Sequence, residues 1–598
     1  MGPSQLSLFI AASLFALPAL GQDPSGATIT HGDSDAGFPG LGAGRAPLIE
    51  IPWNRLSPPE KLYEDLDRLA AQWPTMLSYE VLGESIGGIE MRVYTLNNPA
   101  TGPASSKPAM WIDGNIHGNE VQGGEAVVYT AWYLLENFTH NARVDDLLSR
   151  SSFYMLPMVN PDGRASWFAD AHNPHSSRTG IKPTDNDRDG LFDEDSPDDL
   201  DGDGQILQMR KYVPGEGTHN LDPEDPRILI PVSANDLGVK GDWVMLGTEG
   251  IDNDGDGSTN EDGVGGYDMN RSWPAMWMPE HIQFGAGPYP LFWPETNCIA
   301  KFLISHPNVA SFQSFHNNGG MILRGPGAES FGEYPRADVR VYDEIGRDGE
   351  GLLPFYSYMI LWKDLYSVYG GEVNFAYETL GIMSFTNELW NSARMNPDGR
   401  KGESSEDRHW SDDHLLMGAG FVDWHPFDHP LYGEVEIGGF RKDVGRVPPT
   451  FLIEEMLHRN ALFCIRHAEA MPDVRIRKTE VSDLPGGLFA LDVTFENLRE
   501  IPTRTALASQ KGIGVPDRLS IETKKGKTEV VSAGFRLDKW RDQLLDLVEG
   551  NPASIPLEDG IGSRGEVTLR WILSGKGSVE VSWKGEKGID VSEVVTIK

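Results

Sequence analysis

Apolar residues recur at helical spacing at Leu62, Leu66, Leu69 and Trp73, which predicts an amphipathic helix with Ser57 as its cap. From Ser78 to Leu96 the pattern changes to alternation around Ser85-Ile86-Gly87-Gly88, a hairpin. A polar loop, Asn97 to Pro108, then leads into the continuous apolar run Ala109 to Ile112, read as a buried strand. A Gly/Asn loop breaks that run, and apolar periodicity resumes from Gln122 to Asn137 as a helix. Further on, Phe153 to Val159 reads as a strand closed by the turn Asn160-Pro161-Asp162-Gly163. Pro294-Glu295-Thr296 opens a helix, Ser311 to His316 ends a strand, and Ser384 to Leu389 forms another. Alternating strands and helices over residues 51–473 predict an α/β unit, a mixed sheet flanked by helices with ligand sites at the loops beyond strand ends. Past Met471 the period becomes two, at Ala490 to Asn497, Glu566 to Leu573 and Ser578 to Lys584. That pattern predicts an all-β sandwich over 474–598, an accessory module with one helical insert near Leu537 to Leu547.

Composition narrows the picture. A chain of 598 residues exceeds one ordinary domain, and a formal net charge of -38 argues against nucleic acid or an anionic membrane as partner. Two cysteines, Cys298 and Cys464, exclude a disulfide-built scaffold and a Cys-rich metal site. At the N-terminus the apolar run Leu6 to Leu20 is short for a membrane span, and Ala19 and Gly21 suit a cleavage site. Residues 1–21 therefore read as a signal peptide of a secreted, extracellular or periplasmic protein. Residues 22–50, rich in Gly, Asp, Ser and Pro, read as a disordered lead-in.

Residues 180–265 form an acidic insertion. Asp185, Asp187 and Asp189 precede Gly190, with Asp193 following; Asp199, Asp201 and Asp203 precede Gly204; Asp252, Asp254 and Asp256 precede Gly257. Carboxylates at positions one, three and five with glycine at six are the front half of a calcium loop. The twelfth positions hold Ser196, Arg210 and Gly263 rather than glutamate, so the expectation is calcium-stapled acidic repeats and not helix-loop-helix hands. A solvated acidic loop is the alternative.

The candidate chemistry lies in the loop after the first buried strand. His117 and Glu120, three apart in a tight turn, can converge on one cation, and nitrogen with oxygen donors suits zinc. In order along the chain follow Tyr267 to Pro274, the strand ending at His316, and the strand ending at Glu388. Taken jointly, these motifs resemble the zinc metallocarboxypeptidase family, of which pancreatic carboxypeptidase A is a member, over about residues 51 to 471. The resemblance implies a peptide substrate, with His117, Glu120 and His316 as zinc ligands and Asp268 as the carboxylate orienting a ligand histidine. It implies Glu388 as general base, Asn270 and Arg271 as the clamp for a terminal carboxylate, and Tyr366 as the tyrosine closing over substrate. Tyr369 is a near alternative to Tyr366. Arg210, in Met209-Arg210-Lys211, is the expected oxyanion arginine, with Arg178 as its rival. Val373 matches the position that sets the side-chain pocket and implies an apolar or aromatic C-terminal residue. Asn317-Asn318-Gly319-Gly320 departs from the Ser-Tyr pair usual after the third ligand. Two other functions remain open: a zinc amidase acting on cell-wall peptides or acyl-amines, and a non-catalytic, calcium-stiffened binding protein.

Overall fold

The structure, a computed structural model, describes residues 46–598 apart from 176, 184, 186, 187, 234–237, 256, 261–264, 396–403 and 537–544. The expected signal peptide, most of the lead-in, Asp187 and Asp256 therefore lie outside the described residues.

The main unit is built on an eight-stranded sheet. In spatial order its strands are Leu77–Glu84, Glu90–Leu96, Ser152–Leu156, Ala109–Gly114, Val309–Asn317, Met383–Leu389, Met321–Arg324 and Ser357–Ile360. The four strands from Ser152–Leu156 to Met383–Leu389 run parallel to one another. Parallel neighbours need long crossovers, and here these are the helices that cover both faces. Pro59–Gln72, Gln122–Asn137, Arg336–Leu352 and Thr450–Glu469 pack on one face, and Pro294–Ser305 on the other. Strand Ala109–Gly114 serves both cores by its period of two. Met110 and Ile112 enter one core, and Ala109 and Trp111 the other.

Two local expectations are corrected. The first helix begins at Pro59 with no side-chain cap, because Pro58 and Pro59 set its entry; the Ser57 N–H instead donates to Glu125 Oε1 at 2.7 Å. Asn160 to Gly163 is not a free turn but the start of helix Pro161–Ala169, with Asn160 Oδ1 accepting the Gly163 N–H at 2.8 Å.

The acidic insertion holds more than loops. Strands Gln208–Gly217, His219–Leu221, Leu229–Pro231 and Gly241–Thr248 join the distant pair Phe421–His429 and Gly433–Phe440 in a second, six-stranded sheet. The loops before and after it share one closure. Asp185, Asp199 and Asp252 each accept the N–H groups of residues three and five positions on.

Beyond it, a five-stranded and a four-stranded sheet enclose an apolar core that includes Phe495, Leu519, Trp571 and Trp583. The helical insert expected at Leu537 to Leu547 falls largely outside the described residues, and Leu545–Leu547 is a strand. Polar contacts tie this sandwich to the main unit. Asp338 accepts the Ala506 and Leu507 N–H groups, and Arg564 bridges Glu344 and Glu500. Both cysteines are free. Among the described residues no helix is long and apolar enough to cross a membrane.

Candidate metal centre and substrate cavity

Strand register brings the predicted residues together. Gly114 lies opposite Phe315, so the loop that follows it sits beside the end of strand Val309–Asn317, where His316 is. On the other side of that strand, Glu388 is in register with His316. Three segments far apart in sequence thus meet at one end of the parallel sheet.

The His117 loop is held from beneath. Asn115 adopts φ 62°, and its Nδ2 donates to the His117 and Gly118 carbonyls at 2.7 and 3.2 Å. Fully buried Arg164 donates to Asn115 Oδ1 at 3.1 Å and to the Val121 carbonyl at 2.5 Å, while pairing with buried Glu125 at 2.8 Å. Gly118 is required by close approach, since a Cβ there would lie 2.6 Å from Gly163 Cα and against the Ser177 carbonyl.

His117, Glu120 and His316 converge, with all three side chains nearly inaccessible. Glu120 Oε1 lies 3.0 Å from His117 Nδ1, Glu120 Oε2 lies 3.0 Å from His316 Nδ1, and the two Nδ1 atoms are 3.3 Å apart. Two imidazole nitrogens facing a carboxylate at such spacing fit a cation ligand set, and the donor types suit zinc. Burial alone would raise the Glu120 pKa, but His117 and His316 hold it well below the usual carboxylate range. The outward nitrogen of each ring has its own neighbour. His117 Nε2 is 3.1 Å from Asp268 Oδ1, and His316 Nε2 is 3.3 Å from Asn270 Nδ2. Burial likewise opposes ionisation of Asp268, yet Arg271, His117 and Arg178 keep it well below the usual range.

A cavity of about 250 Å³ opens onto this cluster. Asn270, Arg271, Tyr366, Val373 and Glu388 all line it, as Asp268, behind them, does not. Glu388 is pushed up to about 7 by burial and by the charge on Glu120, against the pull of His316, Arg178 and Arg446. Val373 packs with Leu323 and Leu361 as an apolar patch of the wall. Tyr366, 52% exposed, lines the cavity, and Tyr369 does not. The Glu372 N–H donates to Asn270 Oδ1 at 2.8 Å, linking the Val373 segment to the Arg271 segment. Beneath them Glu372 and Asp113 form a buried carboxyl pair. Burial and the charge of Asp113 raise Glu372 well above its ordinary range, and Asp113 is pushed up to about 6, mainly by burial.

Arg210 is not at this cavity, contrary to expectation. It is sequestered in the six-stranded sheet, with Nε 2.7 Å from Glu436 and its guanidinium between the Trp243 and Trp424 rings at 4.6 and 4.3 Å. The rival, Arg178, occupies the cavity instead. Its Nη1 is 3.1 Å from Glu120 Oε1 and its Nη2 is 3.3 Å from Asp268 Oδ2. A third arginine, Arg446, reaches the cavity from the segment before helix Thr450–Glu469. Nothing in its local sequence pattern marks it.

Among the described residues, five of the expected calcium residues, with Glu194, fall in two acidic groups, and Asp185, Asp193 and Asp252 fall in neither. Asp189, Glu194 and Asp254 form one, joining the first and third loops, and Asp199, Asp201 and Asp203 form the other.

The profile of the zinc carboxypeptidase family matches residues 62–195 and 248–410, and that of a domain of unknown function (DUF8731) matches residues 473–596. Carboxypeptidase B of Astacus astacus is 37% identical over 106 residues, which is 18% of this chain and 32% of that protein. Carboxypeptidase A4 of Mus musculus is 26% identical over 106 residues, 18% of this chain and 24% of the relative. The chain thus spans under a third of the length of these two relatives. A solved carboxypeptidase A from Helicoverpa armigera covers 70% of this chain and 74% of its own, at 16% identity and a TM-score of 0.41.

Proposed function

We propose, from the premise that this chain belongs to the zinc carboxypeptidase family, that it is an exported carboxypeptidase releasing the C-terminal residue of peptides, with preference for an apolar or aromatic one. The observation carrying this reading is that a His-Glu-His cluster, a carboxylate raised toward neutrality and a guanidinium–amide pair line one cavity.

A zinc ion held by His117, Glu120 and His316 would supply Lewis-acid polarisation of the scissile carbonyl and acidify the attacking water. Glu388 takes the proton from that water and passes it to the leaving amine, a task suited to a carboxylate pushed up to about 7. Arg178 replaces Arg210 as the cation beside the developing oxyanion. Arg271 has one face bound to the Asn270 carbonyl at 2.8 Å and its Nη2 3.7 Å from Asp268, which fixes the fork that would grip a terminal carboxylate. Asn270 and the exposed Tyr366 complete the grip. Val373, with Leu323 and Leu361, offers the released side chain an apolar wall.

Calcium belongs to this proposal as well. The loop starting at Asp185 follows Arg178, the loop starting at Asp252 precedes Asp268, and their carboxylates Asp189, Glu194 and Asp254 come together. A calcium ion there would hold the Arg178 and Arg271 segments.

The decisive experiment compares the zinc-loaded chain on matched peptides with free and amidated C-termini. Hydrolysis confined to the free acid supports the reading. Equal hydrolysis of the amide would point to the amidase alternative, and a zinc-loaded chain that cleaves neither would support a non-catalytic binding protein.

A further inference from the structure

The cavity contains one cation more than the proposed reaction uses. Arg178, Arg271 and Arg446 line it against two carboxylates, Glu120 and Glu388. In the scheme above Arg271 meets the terminal carboxylate and Arg178 the oxyanion, which leaves Arg446 without a task. Its position separates it from the other two. Arg271 approaches the ligand cluster through Asp268, whereas Arg446 approaches through Glu120 Oε1 at 3.4 Å and the Asn317 carbonyl at 2.5 Å, beside His175. It comes from residues beyond both stretches matched by the zinc carboxypeptidase profile.

Beside it stands Asn317, 2% exposed and lining the cavity, whose carboxamide oxygen and nitrogen both have no hydrogen-bond partner among the described residues. The Arg446 Nε is likewise buried without a partner among the described residues. Buried polar groups left unpaired destabilise the fold, so a ligand that satisfies them binds there with advantage. Arg446 Nη2 joins the two residues through the Asn317 carbonyl, and the Arg446 Nε and the Asn317 carboxamide, unpaired among the described residues on side chains that line one cavity, leave capacity for a charged, hydrogen-bonding group.

We propose that Arg446 and Asn317 form an anion-accepting subsite on the acyl side of the scissile bond, so that the enzyme selects peptides with an acidic residue before the one released. This rests on the carboxypeptidase reading, which places the released residue at Arg271 and the remaining peptide toward Glu120 and Asn317. Arg446 contacts the substrate carboxylate, and Asn317 donates its amide hydrogens to the same group.

The test uses N-acetyl-alanyl-glutamyl-phenylalanine against its glutaminyl and lysyl counterparts, on the zinc-loaded chain. The glutamyl peptide is expected to exceed the glutaminyl one in kcat/KM by about 10-fold, a fully desolvated charged hydrogen bond being worth that or more. In Arg446→Gln the ratio is expected to collapse toward unity, and in Arg446→Lys to survive in part. If Arg446 only positioned Glu120, the substitution would lower all three substrates together and leave the ratio intact, which would overturn the proposal. So would equal rates on the glutamyl and glutaminyl peptides in the unaltered chain. Binding of the same peptides to zinc-loaded Glu388→Gln, followed by calorimetry, gives the preference without turnover. If no peptide is hydrolysed yet the glutamyl one binds tighter, the carboxypeptidase reading fails while the subsite stands.

Discussion

In the six-stranded sheet Arg210 is closed off. Its guanidinium is sandwiched between two indoles, its Nε is bound to Glu436, and it does not line the cavity at the His-Glu-His cluster. At the end of the eight-stranded sheet Arg178, Arg271 and Arg446 also lie near carboxylates, but all face one opening, and their partners Glu120 and Asp268 are shared with histidines. The two regions use the same ingredients to different ends. A charge satisfied by aromatic faces and a single carboxylate holds strands together, whereas charges crowded around a shared carboxylate leave capacity for a ligand. Topology explains the contrast. The parallel sheet gathers loops at one edge, whereas the antiparallel ladder of the insertion places side chains against neighbouring strands.

The largest expected effect lies in the cavity. Glu388→Gln, assayed by single-turnover hydrolysis with zinc content verified, is expected to lower kcat by about 10²–10⁴-fold, the usual value of a positioned general base. Next comes the support beneath the His117 loop. Arg164→Leu leaves Glu125 buried without its partner, and chemical denaturation should show a loss of about 3–5 kcal/mol.

The arginine pair sharpens the comparison directly. Arg178→Gln is expected to reduce kcat by about 10²–10³-fold, as loss of one oxyanion donor does. Arg210→Gln should leave kcat unchanged and cost about 1–3 kcal/mol of stability, since it breaks a packed ion pair remote from the cavity. The reverse pattern would restore Arg210 as the oxyanion cation. The smallest effect is in the pH profile. Only ionised Glu388 can act as base, so activity falls as pH falls through its pKa. That value is pushed up to about 7 before any metal charge pulls it down, so the acid limb of kcat/KM should lie at or below neutrality. Because Arg178 stabilises the ionised form, removing it should move that limb upward in the residual activity.

The residues that meet at the cavity were legible through the joint resemblance of ordered motifs, each weak alone, in which a tight loop or the end of an apolar strand carries a polar residue. His117 with Glu120, His316 and Glu388 belong to such motifs, and they do come together. Arg446 belongs to none, since it lies in an irregular segment and meets the cavity only through tertiary packing. Arg210 and Arg178 show the limit most plainly. Both lie close to an acidic loop in sequence, and only the strand pairing of Gln208–Gly217 with Gly433–Phe440 removes one from the cavity. The pairing of the insertion with residues 421–440 was likewise invisible, because partners about 200 residues apart share no periodic signal.

Periodicity alone determined that this chain would build a helix-flanked sheet followed by a β unit, since burial of apolar faces demands it whatever the ligand. Which polar groups would meet was decided by strand register and by the packing of crossovers. A side chain's charge is a local property, but its partner is set by the path of the chain through space.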